Sequence, residues 1–259
     1  MIDMHCHILP GIDDGPATMD ESVEMCRMAA SDGIKTIVAT PHFNPPVYET
    51  VSSKMFELIN KLSVKIKEQG IDLRVLPGAD VAVTPELQAY LKKEEYLTIN
   101  RTGRYMLAEF SHTLVPPNWE EFLLNLLNSG VTPIITHPER NGWFLSHRDA
   151  LRPVVKKGVM TQITAMSITG EFGEDVQEFS LYLLKHNLAH IIATDAHSAT
   201  YRPPLLSDAV RIASDVIGEA KAMDMVTSIP KSIVEGMPVS LPLSVEHTGK
   251  KKSWWDCSL

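Results

Sequence analysis

Cysteine is scarce in this chain. Cys6, Cys26 and Cys257 are the only three in 259 residues. Their spacing fits neither a disulfide framework nor a thiolate metal site, and such usage suits a reducing cytoplasm, the expected location. Long apolar runs are also missing. None approaches the roughly 18 residues that a membrane span requires, and a histidine motif that begins at residue 5 leaves no space for a signal peptide. Positive charge is in deficit. Lys and Arg number 24 against 32 Asp and Glu, a net charge of −8, which argues against general nucleic-acid binding. There is no internal repeat and no linker rich enough to divide the chain. What remains is a sequence of 44% hydrophobic residues, long enough for one α/β domain of β/α-barrel size, about 250 residues.

Short apolar runs alternate with amphipathic segments. The runs predict strands at 2–5, 36–40, 73–77, 105–110, 133–136, 160–163 and 191–194. Helical patterns lie at 19–31, 51–69, 85–92, 119–128, 148–156, 175–186 and 204–217. Gly33, Gly70, Gly130 and Gly158 follow helical patterns, as C-terminal caps do. Seven β-α units in series predict parallel strands and a barrel-like α/β fold. From about Leu241 the periodicity is lost, and the chain ends in Lys250-Lys251-Lys252-Ser253-Trp254-Trp255. The expected division is therefore a domain at 1–240 and a basic, aromatic tail at 241–259.

Parallel α/β folds gather their sites beyond the carboxyl ends of the strands. Here those ends read His5-Cys6-His7, Ala39-Thr40-Pro41-His42, Pro77-Gly78-Ala79-Asp80, Leu107-Ala108-Glu109, Thr136-His137-Pro138-Glu139-Arg140 and Thr194-Asp195-Ala196-His197, and Asp14 follows the first. The sixth strand, at its Thr161–Thr164 end, offers no strong ligand. Alternation along the first strand sets Ile2 and Met4 on one side and Asp3 and His5 on the other, with His5 and His7 sharing a face. Imidazole is the commonest protein metal ligand. The candidates are His5, His7, Asp14, His42, Asp80, Glu109, His137, Asp195 and His197, more than one ion needs. This nitrogen-and-oxygen set suits two or three ions of Mn, Fe or Zn. Three divalent ions would outweigh four carboxylates and attract a phosphate dianion. Arg140 and Arg202 follow ligand motifs, and their planar forks match phosphate oxygens. His112 lies close enough to Glu109 to support a ligand or meet substrate. His147, His186, His190 and His247 read as surface residues.

At this point the chain resembles the PHP (polymerase and histidinol phosphatase) superfamily and, more closely, the bacterial manganese-dependent protein tyrosine phosphatases of the CpsB/CapC type. The resemblance rests on the run from His5 through Asp13-Asp14-Gly15, on Ala39-Thr40-Pro41-His42, Leu76-Pro77-Gly78 and His137-Pro138-Glu139-Arg140, and on Thr194-Asp195-Ala196-His197. It implies a distorted seven-stranded β/α barrel with a trinuclear manganese centre. By family pattern His5, His7 and Asp195 hold one ion, Glu109 and His137 a second, and Asp14, His42 and His197 a third. Family members bridge the first two with a glutamate, and here that position is Asp80, one methylene shorter. Arg140 and Arg202 fall where the family binds phosphate. The implied substrate is a tyrosine-phosphorylated protein, a cognate bacterial tyrosine autokinase of capsule or exopolysaccharide export.

The chemistry expected is phosphomonoester hydrolysis by water that the ions activate. A thiol route needs an arginine six positions after a cysteine. Ile12 stands six after Cys6 and Asp32 six after Cys26, so Cys6 is expected to pack beside the ligands instead. A histidinol-phosphate phosphatase shares the metal logic and stays open, as does a non-catalytic PHP scaffold. An amidohydrolase would often need a bridging lysine that no ligand-bearing strand end offers. The Lys250–Trp255 stretch fits a membrane-surface or partner contact, or a disordered soluble tail. The helix near 21–28, with Met25 and Met28, could join subunits of a homo-oligomer.

Overall fold

The computed structural model describes residues 1–84, 87, 90 and 97–240. The expected helix at 85–92 is described only at Leu87 and Tyr90, both helical, while His247 and the tail at 241–259 lie outside the described residues.

All seven expected strands form, as β1 (Ile2–Cys6), β2 (Thr36–Ala39), β4 (Arg74–Pro77), β6 (Tyr105–Glu109), β7 (Thr132–Thr136), β8 (Met160–Thr164) and β9 (Ile191–Ala193). Two short additions, β3 (His42–Phe43) and β5 (Asp80–Ala82), resume the chain just beyond β2 and β4. The interruptions fall at Pro41, which has no N–H to donate, and at Gly78-Ala79. The breaks have a consequence for the site, because they set His42 directly opposite Asp80 in the β3–β5 register.

Every ladder is parallel. The expected seven-stranded barrel is corrected here. The described strands form a three-stranded sheet, β1-β2-β4, and a six-stranded sheet, β3-β5-β6-β7-β8-β9, with no closed barrel. β1 and β9 form no ladder among the described residues; just beyond β9 an isolated bridge pairs Cys6 with Ala196. β9 is three residues long, and Asp195 beyond it turns into the left-handed region at φ 51°, which ends a regular ladder.

Helices cover one face of the sheets. In α1 (Met19–Ser31) Thr18 accepts the Glu21 N–H at 3.2 Å and Glu21 reaches back to the Ala17 N–H, a reciprocal cap. Its buried residues Val23, Met25, Cys26 and Ala29 recur at helical spacing and pack toward α2 (Ser52–Glu68), whose Leu58 and Leu62 join the same cluster. Met25 is thus a core residue, and Met28 is only half-buried. The helices α3 (Trp119–Asn128), α4 (Gly142–Ser146), α5 (Arg152–Val155), α6 (Ala165–Thr169), α7 (Glu174–Lys185) and α8 (Ser207–Ile217) follow. The helix expected at 148–156 shrinks to α5 because Pro153 is tolerated only in a first turn. α8 starts later than expected, at Ser207, where the Asp32 carboxylate accepts the Leu206 and Ser207 N–H groups at 2.6 and 3.0 Å. Two short helices that the sequence pattern does not announce, α9 (Glu219–Asp224) and α10 (Ser228–Val234), close the described chain.

The opposite face of the sheets carries a smaller apolar cluster. Met4, Val38, Leu107, Ile134, Met160 and Ile191 meet there, covered by Ile233 and Val234 of α10. One step further along the strands, the same face turns polar. β1 reaches that layer by an irregularity: its register shifts between Asp3 and Cys6, so Met4 joins the apolar cluster and the next residue, His5, already enters the polar one. Strict alternation does not hold there.

Candidate metal centre

The polar layer lies beyond the carboxyl ends of the strands and gathers side chains from β1, β3, β5, β6 and the turns after β7 and β9. His5 Nε2 lies 3.2 Å from His7 Nε2, 3.3 Å from Asp195 Oδ1 and 3.5 Å from Asp80 Oδ2. His7 Nε2 is 3.5 Å from the same Asp195 oxygen. Asp14 stands between His42 and His197, at 3.5 and 3.4 Å. Glu109 faces His42 at 3.3 Å and His137 at 3.6 Å. Asp80 Oδ2 is 3.6 Å from His42 Nδ1. Three groups have donor atoms close enough to share an ion: His7, Asp14, His42 and His197; His5, His7 and Asp80; and His42, Asp80 and Glu109. Seven of the nine sequence candidates fall in these groups, and His137 and Asp195 lie against them. The grouping is more interwoven than the family pattern, since His7, His42 and Asp80 each belong to two groups. His137 pairs with Glu109 alone, and Asp195 contacts His5, His7 and His197.

Two of these residues hold left-handed backbone without being glycine, His137 at φ 33° and Asp195 at φ 51°. Such conformations cost about 1–3 kcal/mol and persist where the surroundings over-determine them. For Asp195 the surroundings are its N–H on the His5 carbonyl at 2.8 Å and the Asp3 carboxylate on the Thr194 N–H at 3.0 Å. For His137, Glu139 accepts from the Thr164 N–H and the Ser167 hydroxyl at 2.8 and 2.7 Å and so ties down the turn.

Sequence reasoning missed the residues that aim the ligands. His7 Nδ1 donates to Asp13 Oδ2 at 2.7 Å, and that oxygen also accepts the His42 N–H at 3.1 Å. Asp13 Oδ1 accepts the Gly15 N–H at 3.0 Å. A Cβ at Gly15 would come within 2.5 Å of the His7 carbonyl oxygen, so only glycine lets the loop lie against β1 there. His5 Nδ1 donates to Gln162 Oε1 at 2.9 Å, and His197 Nδ1 donates to the Asp195 carbonyl at 2.9 Å. In all three rings Nδ1 carries the proton and Nε2 is left facing the centre, the arrangement of metal-ligating histidines. Gln162 is the contribution of the strand that offered no ligand. Asp13 had a signal, the Asp-Asp-Gly run, which does not say which aspartate faces inward.

Burial and mutual charge perturb these groups strongly. Burial pushes His5 down to about 3 and His137 down to about 4. His7 goes the other way, up to about 10, because bonds to Asp13 and Asp195 outweigh burial. Burial raises Asp80 well above the ordinary carboxylate range, with the Glu109 charge adding to it. Glu109 falls to about 2 against its burial, through His42 and His137. Asp195 is held well below its usual value, also against burial, by His5, His7 and His137 and then Arg202. Asp80 Oδ2 is fully buried with no hydrogen-bond partner, while Oδ1 accepts from Thr136 at 3.3 Å. An orphaned carboxylate oxygen amid imidazoles is what a cation would satisfy.

Arg140 and Arg202 both reach Asp195. Arg140 Nη1 bonds to Oδ2, and Arg202 Nη2 bonds to Oδ2 at 2.5 Å and to the carbonyl at 2.8 Å. His112 lies beside His137, with ring centroids 5.6 Å apart, and burial and Arg140 hold its pKa below the usual value. His190 is corrected. It is buried, not on the surface, with Nδ1 accepting the Thr161 N–H at 3.0 Å. Its neighbours Ala189 and Ile191 belong to the apolar run of β9, which carries it inside. His147 is exposed and His186 half-buried. Cys6 is wholly buried, and burial pushes its thiol far up.

The family model for capsular polysaccharide synthesis proteins, CpsB/CapC, matches residues 1–235. The tyrosine-protein phosphatase YwqE of Bacillus subtilis is 40% identical over 202 residues, 78% of this chain and 79% of YwqE. The tyrosine-protein phosphatase CpsB of Streptococcus pneumoniae is 31% identical over 239 residues, 90% of this chain and 98% of CpsB. Among solved structures, one from a study of YwqE and CpsB as unique metal-dependent tyrosine phosphatases superposes with a TM-score of 0.90. It is 34% identical and covers 96% of this chain and all of its own.

Proposed function

We infer that this chain, which belongs to the CpsB/CapC family of capsular polysaccharide synthesis proteins, is a metal-dependent protein tyrosine phosphatase. One observation carries the reading: four histidines and three carboxylates form three groups whose donor atoms could share an ion, with His137 and Asp195 against them and two arginines meeting on Asp195.

The residues fit divalent metal. The donors are all nitrogen and oxygen, three imidazoles present Nε2 inward, and a buried Asp80 oxygen lacks a partner. His5, His7 and Asp195 would hold one ion, Glu109 and His137 another, and Asp14, His42 and His197 a third, with Asp80 shared between the first two. Manganese is our choice, and Fe or Zn suits the same donors. Bound divalent ions lower the pKa of water and offset charge on a transferring phosphoryl group. Arg140 and Arg202 take phosphoryl oxygens with their planar forks and so fix the ester's orientation. A tyrosine phenolate, with a pKa of about 10, departs without a strong acid. The buried Cys6 thiol takes no part.

The substrate we propose is the tyrosine-phosphorylated tail of a bacterial autokinase that regulates capsule or exopolysaccharide export, met in the cytoplasm. No helix among the described residues is long and apolar enough to cross a membrane. The catalytic unit is residues 1–240, a distorted PHP-type arrangement in which β2 with β3, and β4 with β5, each count as one of seven staves. The outward side of α1, with Glu24, Arg27 and Met28, is where a second copy would dock in a homo-oligomer. The tail at 241–259 would meet a membrane surface.

The test is to load the purified protein with Mn, Fe or Zn and measure phosphate release from a phosphotyrosine peptide and from histidinol phosphate. Metal-dependent turnover of the peptide is expected. No turnover of either with any metal would leave only a scaffold role, and a preference for histidinol phosphate would sink the tyrosine assignment alone.

A further inference from the structure

Phe172 is an aromatic residue that the proposed reaction does not use. It is half-buried, and among the described residues it belongs to neither apolar cluster. Two cations lie over its ring. The Arg140 guanidinium carbon lies 4.5 Å from the ring centroid and that of Arg202 lies 5.9 Å away. Both fall within the range of cation–π attraction, modest at wet sites and stronger when the cation is desolvated. Arg140 and Arg202 are largely sheltered, so the contact is of the stronger kind.

The turn that carries Phe172 is built for a fixed position. It joins α6 to α7, and Gly170 and Gly173 on either side of it take φ of +99° and +97°, the left-handed region. Gly170 and Glu171 donate to the Met166 carbonyl at 3.1 and 3.0 Å, and Gly173 donates to Gly170 at 3.0 Å. A Cβ at Gly170 would press on Gln177, whose amide in turn donates to the Ile168 carbonyl at 2.9 Å.

Two guanidinium groups that meet on one carboxylate repel one another. The Asp195 carboxylate offsets that repulsion, but the ligand set claims that carboxylate too. Phe172 offers the pair a second attractive surface that no ion competes for. Arg202 Nε is buried with no hydrogen-bond partner, a donor still free for an anion.

Resting on the phosphatase reading above, we propose that Phe172 is a positioning residue that holds the Arg140 and Arg202 guanidinium groups at the spacing needed to grip one phosphate dianion. It acts on the substrate through the two arginines. Its effect is on phosphate affinity.

The experiment compares the metal-loaded full chain with Phe172→Tyr, Phe172→Leu and Phe172→Ala. Calorimetry measures inorganic phosphate and metal affinity, and p-nitrophenyl phosphate gives KM and kcat. Leucine fills space without a π face, whereas tyrosine keeps the face. Phe172→Tyr should bind phosphate within twofold of wild type. Phe172→Leu should lose about tenfold, equivalent to ~1.4 kcal/mol, with KM raised alike, kcat within twofold and metal affinity unchanged. Leucine binding phosphate as well as tyrosine does would overturn the proposal, and so would equal losses in both, or a wild type that does not bind phosphate. If Phe172→Ala fails to fold, the Tyr and Leu pair decides. A wild type without turnover whose phosphate affinity still falls in Phe172→Leu would sink the phosphatase reading and leave the role of Phe172 standing.

Discussion

Replacing Asp13 with asparagine should weaken metal binding without unfolding the protein. Asp13 is not among the nine convergent residues, yet it accepts from His7 Nδ1 at 2.7 Å, from the His42 N–H at 3.1 Å and from the Gly15 N–H at 3.0 Å. The first bond fixes the His7 tautomer and ring angle, and the second anchors the backbone of His42. The amide side chain of Asp13→Asn retains one oxygen in place of two and removes the charge that makes His7 a stronger ligand. Carboxylates that support a metal-ligating histidine are worth about 10–100-fold in metal affinity. Because Asp13 supports two ligand residues from a sheltered position, the loss should lie in the upper part of that range, about 30–100-fold, or ~2–3 kcal/mol. Calorimetric titration of metal-stripped protein with Mn2+ at pH 7.5 reads this directly, and far-UV circular dichroism checks the fold. Activity should return toward wild type when metal is supplied in excess, since the arginines are untouched. A dissociation constant within twofold of wild type, with the fold intact, would refute the reasoning. Asp13 would then merely hold the Asp14-Gly15 turn.

Asp80→Glu should not improve the centre. Asp80 is fully buried and its Oδ2 already lies 3.5 and 3.6 Å from His5 and His42, so an extra methylene overpacks the site by about 1–3 kcal/mol; tighter metal binding in calorimetry would show that the shorter side chain leaves a gap. His190→Asn should flatten the acid limb of stability, since asparagine can keep an acceptor near Nδ1 for the Thr161 N–H. Burial lowers the His190 pKa to about 4 from an ordinary value near 6.5. The unfolded chain therefore takes up a proton before the folded one does. Stability is full above pH ~6.5 and is lost as pH falls toward 4. The loss that linkage assigns to His190 by pH ~4.5 is about 2.5 kcal/mol. Urea denaturation of metal-stripped wild type and variant between pH 7.5 and 4.5 measures the difference, and parallel profiles would contradict it.

What could be read from the sequence was whatever physics makes local. A parallel strand buried on both faces leaves an apolar run, and its ligands follow within a residue or three, which is why all nine convergent residues were legible. That the chain resumes pairing one or two residues after Pro41 and Gly78, as β3 and β5, was not legible, because the partner that satisfies His42 is Asp80, 38 positions away. Sequence separation likewise hides the helpers from a local reading. Gln162 serves His5 across 157 residues, and Phe172 serves arginines about 30 positions to either side. A neutral amide inside a strand and an aromatic in a glycine turn carry no local mark of such duties. His190 shows the converse error. Polar residues beside a strand suggest surface, yet the run it precedes is wholly buried, and a histidine there must surrender its charge to enter. What joins β1 to the region after β9 is a contact across 190 positions, the bridge between Cys6 and Ala196. There the geometry of the site prevails over the ladder: Asp195 leaves strand conformation to turn its carboxylate toward His5 and His7, and the hydrogen bonds that would have zipped β1 to β9 are reduced to a bridge.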